Sequence, residues 1–75
     1  MNDKRRKQIG KIIDELERLK TSAELIKEDE QEAFDSLPEQ FQAGLRGEAS
    51  ERAIDSLESA LDELEECISY LREVQ

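Results

Sequence analysis

The 75-residue chain has no histidine and only one cysteine. Without histidine, the usual base of a catalytic triad and the commonest metal ligand are both missing. A single thiol excludes a disulfide within the chain, and this cysteine usage points to a reducing, cytoplasmic compartment. Aromatic residues are 4% of the chain, so large core side chains are scarce. No apolar run approaches the ~20 residues that span a bilayer, so no membrane contact is expected. The basic start has no apolar stretch behind it and does not read as a signal peptide. Glu-x-x-His motifs of bundle di-iron sites and the spacing of EF-hand loops are also missing. The chain is therefore expected not to be an enzyme and to need no cofactor and no metal.

Charge is plentiful. Charged residues make up 41% of the chain, and 11 basic against 20 acidic residues give a net charge of -9. The distribution is uneven. Lys4, Arg5, Arg6, Lys7 and Lys11 open the chain, and residues 12–75 then carry six cations against nineteen acids, a net -13. Such a surface repels free nucleic acid and favours a basic protein partner.

The strongest pattern lies between Ile54 and Leu71. Ile54, Leu57, Leu61, Leu64, Ile68 and Leu71 recur at intervals of three and four, with charges between them. This is the apolar stripe of an amphipathic helix, predicted over about 48–74. A second set, Ala53, Ala60 and Cys67, lines one edge of that stripe with small side chains, which let backbones approach closely. The helix is thus expected to touch two neighbours. Cys67 is read as a buried packing thiol, since Glu65 and Glu66 beside it do not favour a reactive thiolate.

The first helix is predicted over about 3–34, roughly 45–50 Å long, with Asp3 as its cap. Its apolar positions run Ile9, Ile12, Leu16, Leu19, Ala23, Ile26 and Ala33, with Glu30 out of pattern and Ile13 and Phe34 widening the stripe. Thr21 and Glu24 have capping-box spacing, but the phase continues from Leu16 to Ile26, so no break is placed there. Pro38 ends the helix, because it disfavours helical geometry at Leu37. Ser36 and Glu39 also have capping-box spacing and predict a short helical turn through Phe41 and Gln42. Gly44 and Gly47 read as a second break. Residues 35–47 are therefore a structured corner, with Leu37, Phe41 and Leu45 plugging the end.

The expected fold is one all-α domain, an antiparallel helical hairpin with a structured corner. In that arrangement Lys4 to Lys7 would lie near Asp62, Glu63, Glu65, Glu66 and Glu73. A chain this short is marginal alone, and a bare hairpin leaves one broad apolar face wet. A homodimer closing a four-helix bundle is expected, assembled through Ile54, Leu57, Ala60, Leu61, Leu64, Cys67, Ile68 and Leu71.

The acidic helix end Glu28-Asp29-Glu30-Gln31-Glu32, the Leu37-Pro38-Glu39 corner, the Gly47-Glu48 restart and the run Ala53 to Glu58 together resemble a group of short acidic helical proteins. That group is found in bacteriophages and bacterial mobile elements and carries no assigned function. The resemblance brings no catalytic residues. Function is accordingly expected to be non-enzymatic: a self-associating protein–protein interaction module in a phage or mobile-element setting. The alternative is an acidic mimic of nucleic acid that occupies a host defence or nucleic-acid-binding protein. A third reading gives the basic start a nucleic-acid partner, but it lacks interleaved aromatics and the rest of the chain is acidic.

Overall fold

A computed structural model describes all residues, 1–75. The chain is all-α, with α1 at Asp3–Asp35, a short α2 at Glu39–Gln42 and α3 at Leu45–Val74. The molecule is an elongated rod measuring 58 × 15 × 11 Å.

Helix α1 starts at Asp3, but its cap lies one residue earlier than the sequence suggested. Asn2 is the cap, and its side-chain oxygen accepts the Arg5 N–H at 2.9 Å. Asp3 sits in the first turn instead, paired with Arg6 at 3.1 Å. The helix continues unbroken through Thr21 and Ser22, whose hydroxyls donate back to the carbonyls of Glu17 and Arg18. That bond occupies the Thr21 hydroxyl and leaves it no capping role. Ser36 closes α1, with its hydroxyl donating to the Glu32 carbonyl at 2.8 Å. The Ser36–Glu39 capping box therefore does not form, and Pro38 precedes α2 without a side-chain cap.

The corner is shorter than predicted. Helix α3 begins at Leu45, and Gly47 lies inside its first turn rather than at a break. Gly47 is a packing glycine: it is buried, and a Cβ there would fall 2.7 Å from the Gln42 Cα and closer still to its carbonyl. The Gln42 side-chain amide ties the corner to the end of α1 by donating to the carbonyls of Phe34 at 3.2 Å and Leu37 at 3.0 Å. Leu37 is half-buried, but Phe41 is exposed and Leu45 is 84% exposed. The plug is thus polar and backbone-mediated, not the apolar one expected from Leu37, Phe41 and Leu45.

Helix α3 buries Gly47, Ile54, Leu61 and Ile68, each seven residues apart. Ser50, Leu57, Leu64 and Leu71 flank that line and are half-buried. Together they make a strict heptad seam. On α1 the facing positions are Ile9, Ile13, Leu16, Lys20, Ala23, Lys27, Glu30 and Phe34, of which Ile13 is buried and the others half-buried. This corrects the stripe read from sequence. Ile12, Leu19, Ile26 and Ala33 share Ile9, Leu16, Ala23 and Glu30 as neighbours, yet they lie one residue further round and stay exposed. The physical reason is at Lys20 and Lys27. Their methylene stems lie along the seam while the ammonium groups reach Glu65 and Glu58 on α3.

Those contacts also fix direction and register. Lys27 pairs with Glu58 at 3.0 Å, Lys20 with Glu65, and Glu17 with Arg72. Residue number falls along α1 as it rises along α3, so the two rods run in opposite directions. The residue numbers of each pair total 85 or 89, which puts Leu19 level with Cys67 and Ile26 level with Ala60.

Two packing tests follow from this geometry, both read by thermal denaturation. Gly47→Ala is expected to destabilise by about 2 kcal/mol or more, since neither backbone can give way. Gly10→Ala is expected to stabilise by up to about 1 kcal/mol, because its Cβ would meet only the movable amide end of Gln75. Ile68 is 1% exposed. Ile68→Ala should cost about 2–5 kcal/mol, comparable to the whole stability of so small a chain.

Candidate functional site: an uncovered apolar flank

The two flanks of the α1/α3 seam differ in chemistry. On one flank stand Glu17, Lys20, Glu24 and Lys27 of α1, facing Glu58, Glu65 and Arg72 of α3. All the ion pairs between the two helices lie there. The open groove between Glu24, Lys27, Glu58 and Asp62 belongs to this flank. Its charges are largely satisfied within the chain. No three His, Cys, Asp or Glu side chains converge in a metal-binding arrangement.

The Lys20–Glu65 contact perturbs both partners. Its hydrogen bond, more than simple charge attraction, raises the Lys20 ammonium above its ordinary value. The same hydrogen bond lowers the Glu65 carboxyl, with Coulombic attraction to Lys20 second. Both groups face solvent, so the pair selects register more than it stabilises.

The opposite flank is apolar and has no ion pair. From α1 it presents Ile12, Leu19 and Ile26, which are 48%, 60% and 59% exposed. From α3 it presents Ala53, Ala60, Cys67 and Val74, also exposed. Helical geometry puts both sets on one side. In α1 they sit one position before the residues that meet the charged flank, and in α3 they precede the buried Ile54, Leu61 and Ile68 by one. Because the helices run in opposite directions, those two offsets point the same way. The face spans four layers, about 32 Å of the 58 Å rod: Ile12 beside Val74, Leu19 beside Cys67, Ile26 beside Ala60, and Ala33 beside Ala53.

The residues expected from sequence to drive assembly divide between two roles. Ile54, Leu61 and Ile68 are buried against α1, and Leu57, Leu64 and Leu71 are half-buried in the same seam. Ala60 and Cys67 lie on the exposed flank. The reading of Cys67 as a buried thiol is therefore corrected: it stands one position round from the buried Ile68. Sequence reading did not assign Ile12, Leu19 and Ile26 to the outer face. Their seven-residue spacing was visible, but the competing seam runs through Lys20 and Lys27, which give it no apolar signal in the sequence.

The basic start is also placed differently from expectation. Gly10 is already level with Gln75, so Lys4 to Lys7 extend past the end of α3. They do not lie along Asp62, Glu63, Glu65, Glu66 and Glu73. The only ion pair in that run is the local one between Arg6 and Asp3. Comparison with family models, curated proteins and solved structures finds no match to this chain.

The charged flank makes a pH prediction. A carboxyl held below its ordinary value contributes stability above the unfolded pKa, and loses it as pH falls through the folded one. Glu65→Gln should therefore lower the melting temperature slightly at neutral pH. The gap to the native chain should close as pH drops below the ordinary glutamate value of 4.5. A gap that stays constant down to strong acid would contradict the assignment.

Proposed function

We propose that this chain is a non-enzymatic protein–protein interaction module that self-associates. In this reading it is a helical hairpin with a structured corner, and a second copy completes a four-helix bundle. The observation that supports it is the unbroken apolar flank carrying Ile12, Leu19, Ile26, Cys67 and Val74 in the open. Small soluble chains rarely leave a contiguous stripe of that length uncovered. A phage or mobile-element setting is part of the proposal, supported by the resemblance of the acidic helix end and corner. No helix is long and apolar enough to cross a membrane.

A second reading keeps the acidic nucleic-acid mimic. Its support is the exposure of Asp29, Glu32, Asp55, Asp62, Glu63 and Glu66, which leaves a carboxylate-studded surface around the rod. The readings separate under salt. Binding through exposed carboxylates weakens steeply as ionic strength rises, because screening acts within about 8–10 Å. Binding through the apolar flank does not.

Light scattering at micromolar concentration should return the mass of two chains. The double change Leu19→Asp with Ile26→Asp should return one chain that is still helical, since neither residue supports the α1/α3 seam. A native chain that is folded and monomeric at that concentration refutes self-association.

A further inference from the structure

We propose that the second copy docks with the two-fold axis running along the rods, so that α1 of each copy lies against α3 of the other. This rests on the self-association reading above and specifies its surface and orientation. Three features of the flank carry it.

The first is size. The flank from Ile12 to Ala33 is about 32 Å long at 1.5 Å per residue and 15 Å across, a footprint of roughly 500 Å² per copy, or about the 1,000 Å² in total that a specific interface needs. The second is shape. A two-fold axis along the rods causes no axial shift, so residues level within one chain are also level across the interface. Leu19 then faces Cys67 of the other copy, Ile26 faces Ala60, and Ile12 faces Val74. In the two middle layers a large side chain meets a small one, which is how facing helices interdigitate.

The third feature is charge. Beside the apolar flank, on its outer edge, stand Lys11, Arg18 and Glu32 of α1 and Arg52, Glu66 and Glu73 of α3. None of these six has an ion-pair partner in its own chain. In the proposed dimer they meet as Lys11 with Glu73, Arg18 with Glu66, and Glu32 with Arg52. All three pairs are of opposite sign and stand at the register the apolar layers require. The other closed arrangement puts the two-fold axis across the rods. On the outer edge it too joins opposite signs, Lys11 near Glu32 and Arg52 near Glu73. Nearer the apolar layers, however, it brings Glu63 against the other copy's Glu63 and Glu15 beside its Asp29, where the proposed arrangement sets Glu63 against Ser22 and Asp29 against Ser56. Like charges directly opposed are unfavourable, and complementary rims select partner and orientation. The proposed arrangement also makes every helix antiparallel to both its neighbours, which suits the helix dipoles.

Native Cys67 makes a direct test possible. Leu19→Cys should give a covalent dimer on a non-reducing gel after mild oxidation, through Cys67 of the other copy. Within one chain those two positions are level but point the same way off the face, a geometry disulfides do not take. Ala60→Cys should give no covalent dimer, whereas an axis across the rods predicts that it does. As a second probe, Arg18→Glu should raise the dimer dissociation constant about tenfold, and adding Glu66→Arg should restore it to within about twofold. A covalent dimer from Ala60→Cys and not from Leu19→Cys overturns the orientation while leaving self-association intact. A native protein that is dimeric by light scattering but cross-links from neither variant, and ignores Arg18→Glu, overturns this face. A native chain that stays monomeric overturns both the orientation and the self-association it rests on.

Discussion

One line of side chains organises the molecule: Gly47, Ile54, Leu61 and Ile68, spaced by sevens along α3 and all buried. A seven-residue repeat keeps one face of a helix turned toward a partner over many turns. It demands a rod of matching length alongside, and α1 supplies it. Gly47 anchors one end of the line because only a residue without a side chain lets the Gln42 backbone come so close. Ile68, the most enclosed side chain in the chain, holds the other.

Helix α1 has a choice that α3 does not. Two seams run along it, sharing Ile9, Leu16, Ala23 and Glu30. One adds Ile13, Lys20, Lys27 and Phe34; the other adds Ile12, Leu19, Ile26 and Ala33. The first packs inside the chain, although it is the more polar of the two. Lysine at the edge of a seam costs little when its stem lies on apolar surface and its head meets a carboxylate. The more apolar seam is left exposed. Folding and the proposed association then use different residues of the same helix. Bound partners stabilise whatever fold presents their site, so the apparent stability of such a chain depends on its concentration.

The all-α character, the two long helices and the break at Pro38 were legible in the sequence. Periodicity at 3.6 residues and a lone proline are strong local signals. What stayed hidden was rotation and register. A stripe of three apolar positions per heptad does not say which pair of them faces inward, and Lys20 and Lys27 misled because polarity counts at one end of their side chains only. The fate of Gly47 was equally illegible. Glycine marks a break and a close backbone approach with the same letter, and only the position of Gln42 decides between them. The mistaken placement of Lys4 to Lys7 beside the acids of α3 is also an error of register: with Gly10 level with Gln75, α1 overhangs the end of α3 and its first turns have no helix beside them. The exposed flank could have been found from the seven-residue spacing of Ile12, Leu19 and Ile26 set beside that of Ala53, Ala60 and Cys67.

The central claim is that one chain is half of a bundle and that the missing half lies alongside it, not at its end. Small-angle X-ray scattering measures both parts at once. Forward scattering should correspond to twice the 8.7 kDa chain, while the longest dimension stays close to the single rod's 58 Å. A one-chain mass, or a particle markedly longer than the rod, would contradict it.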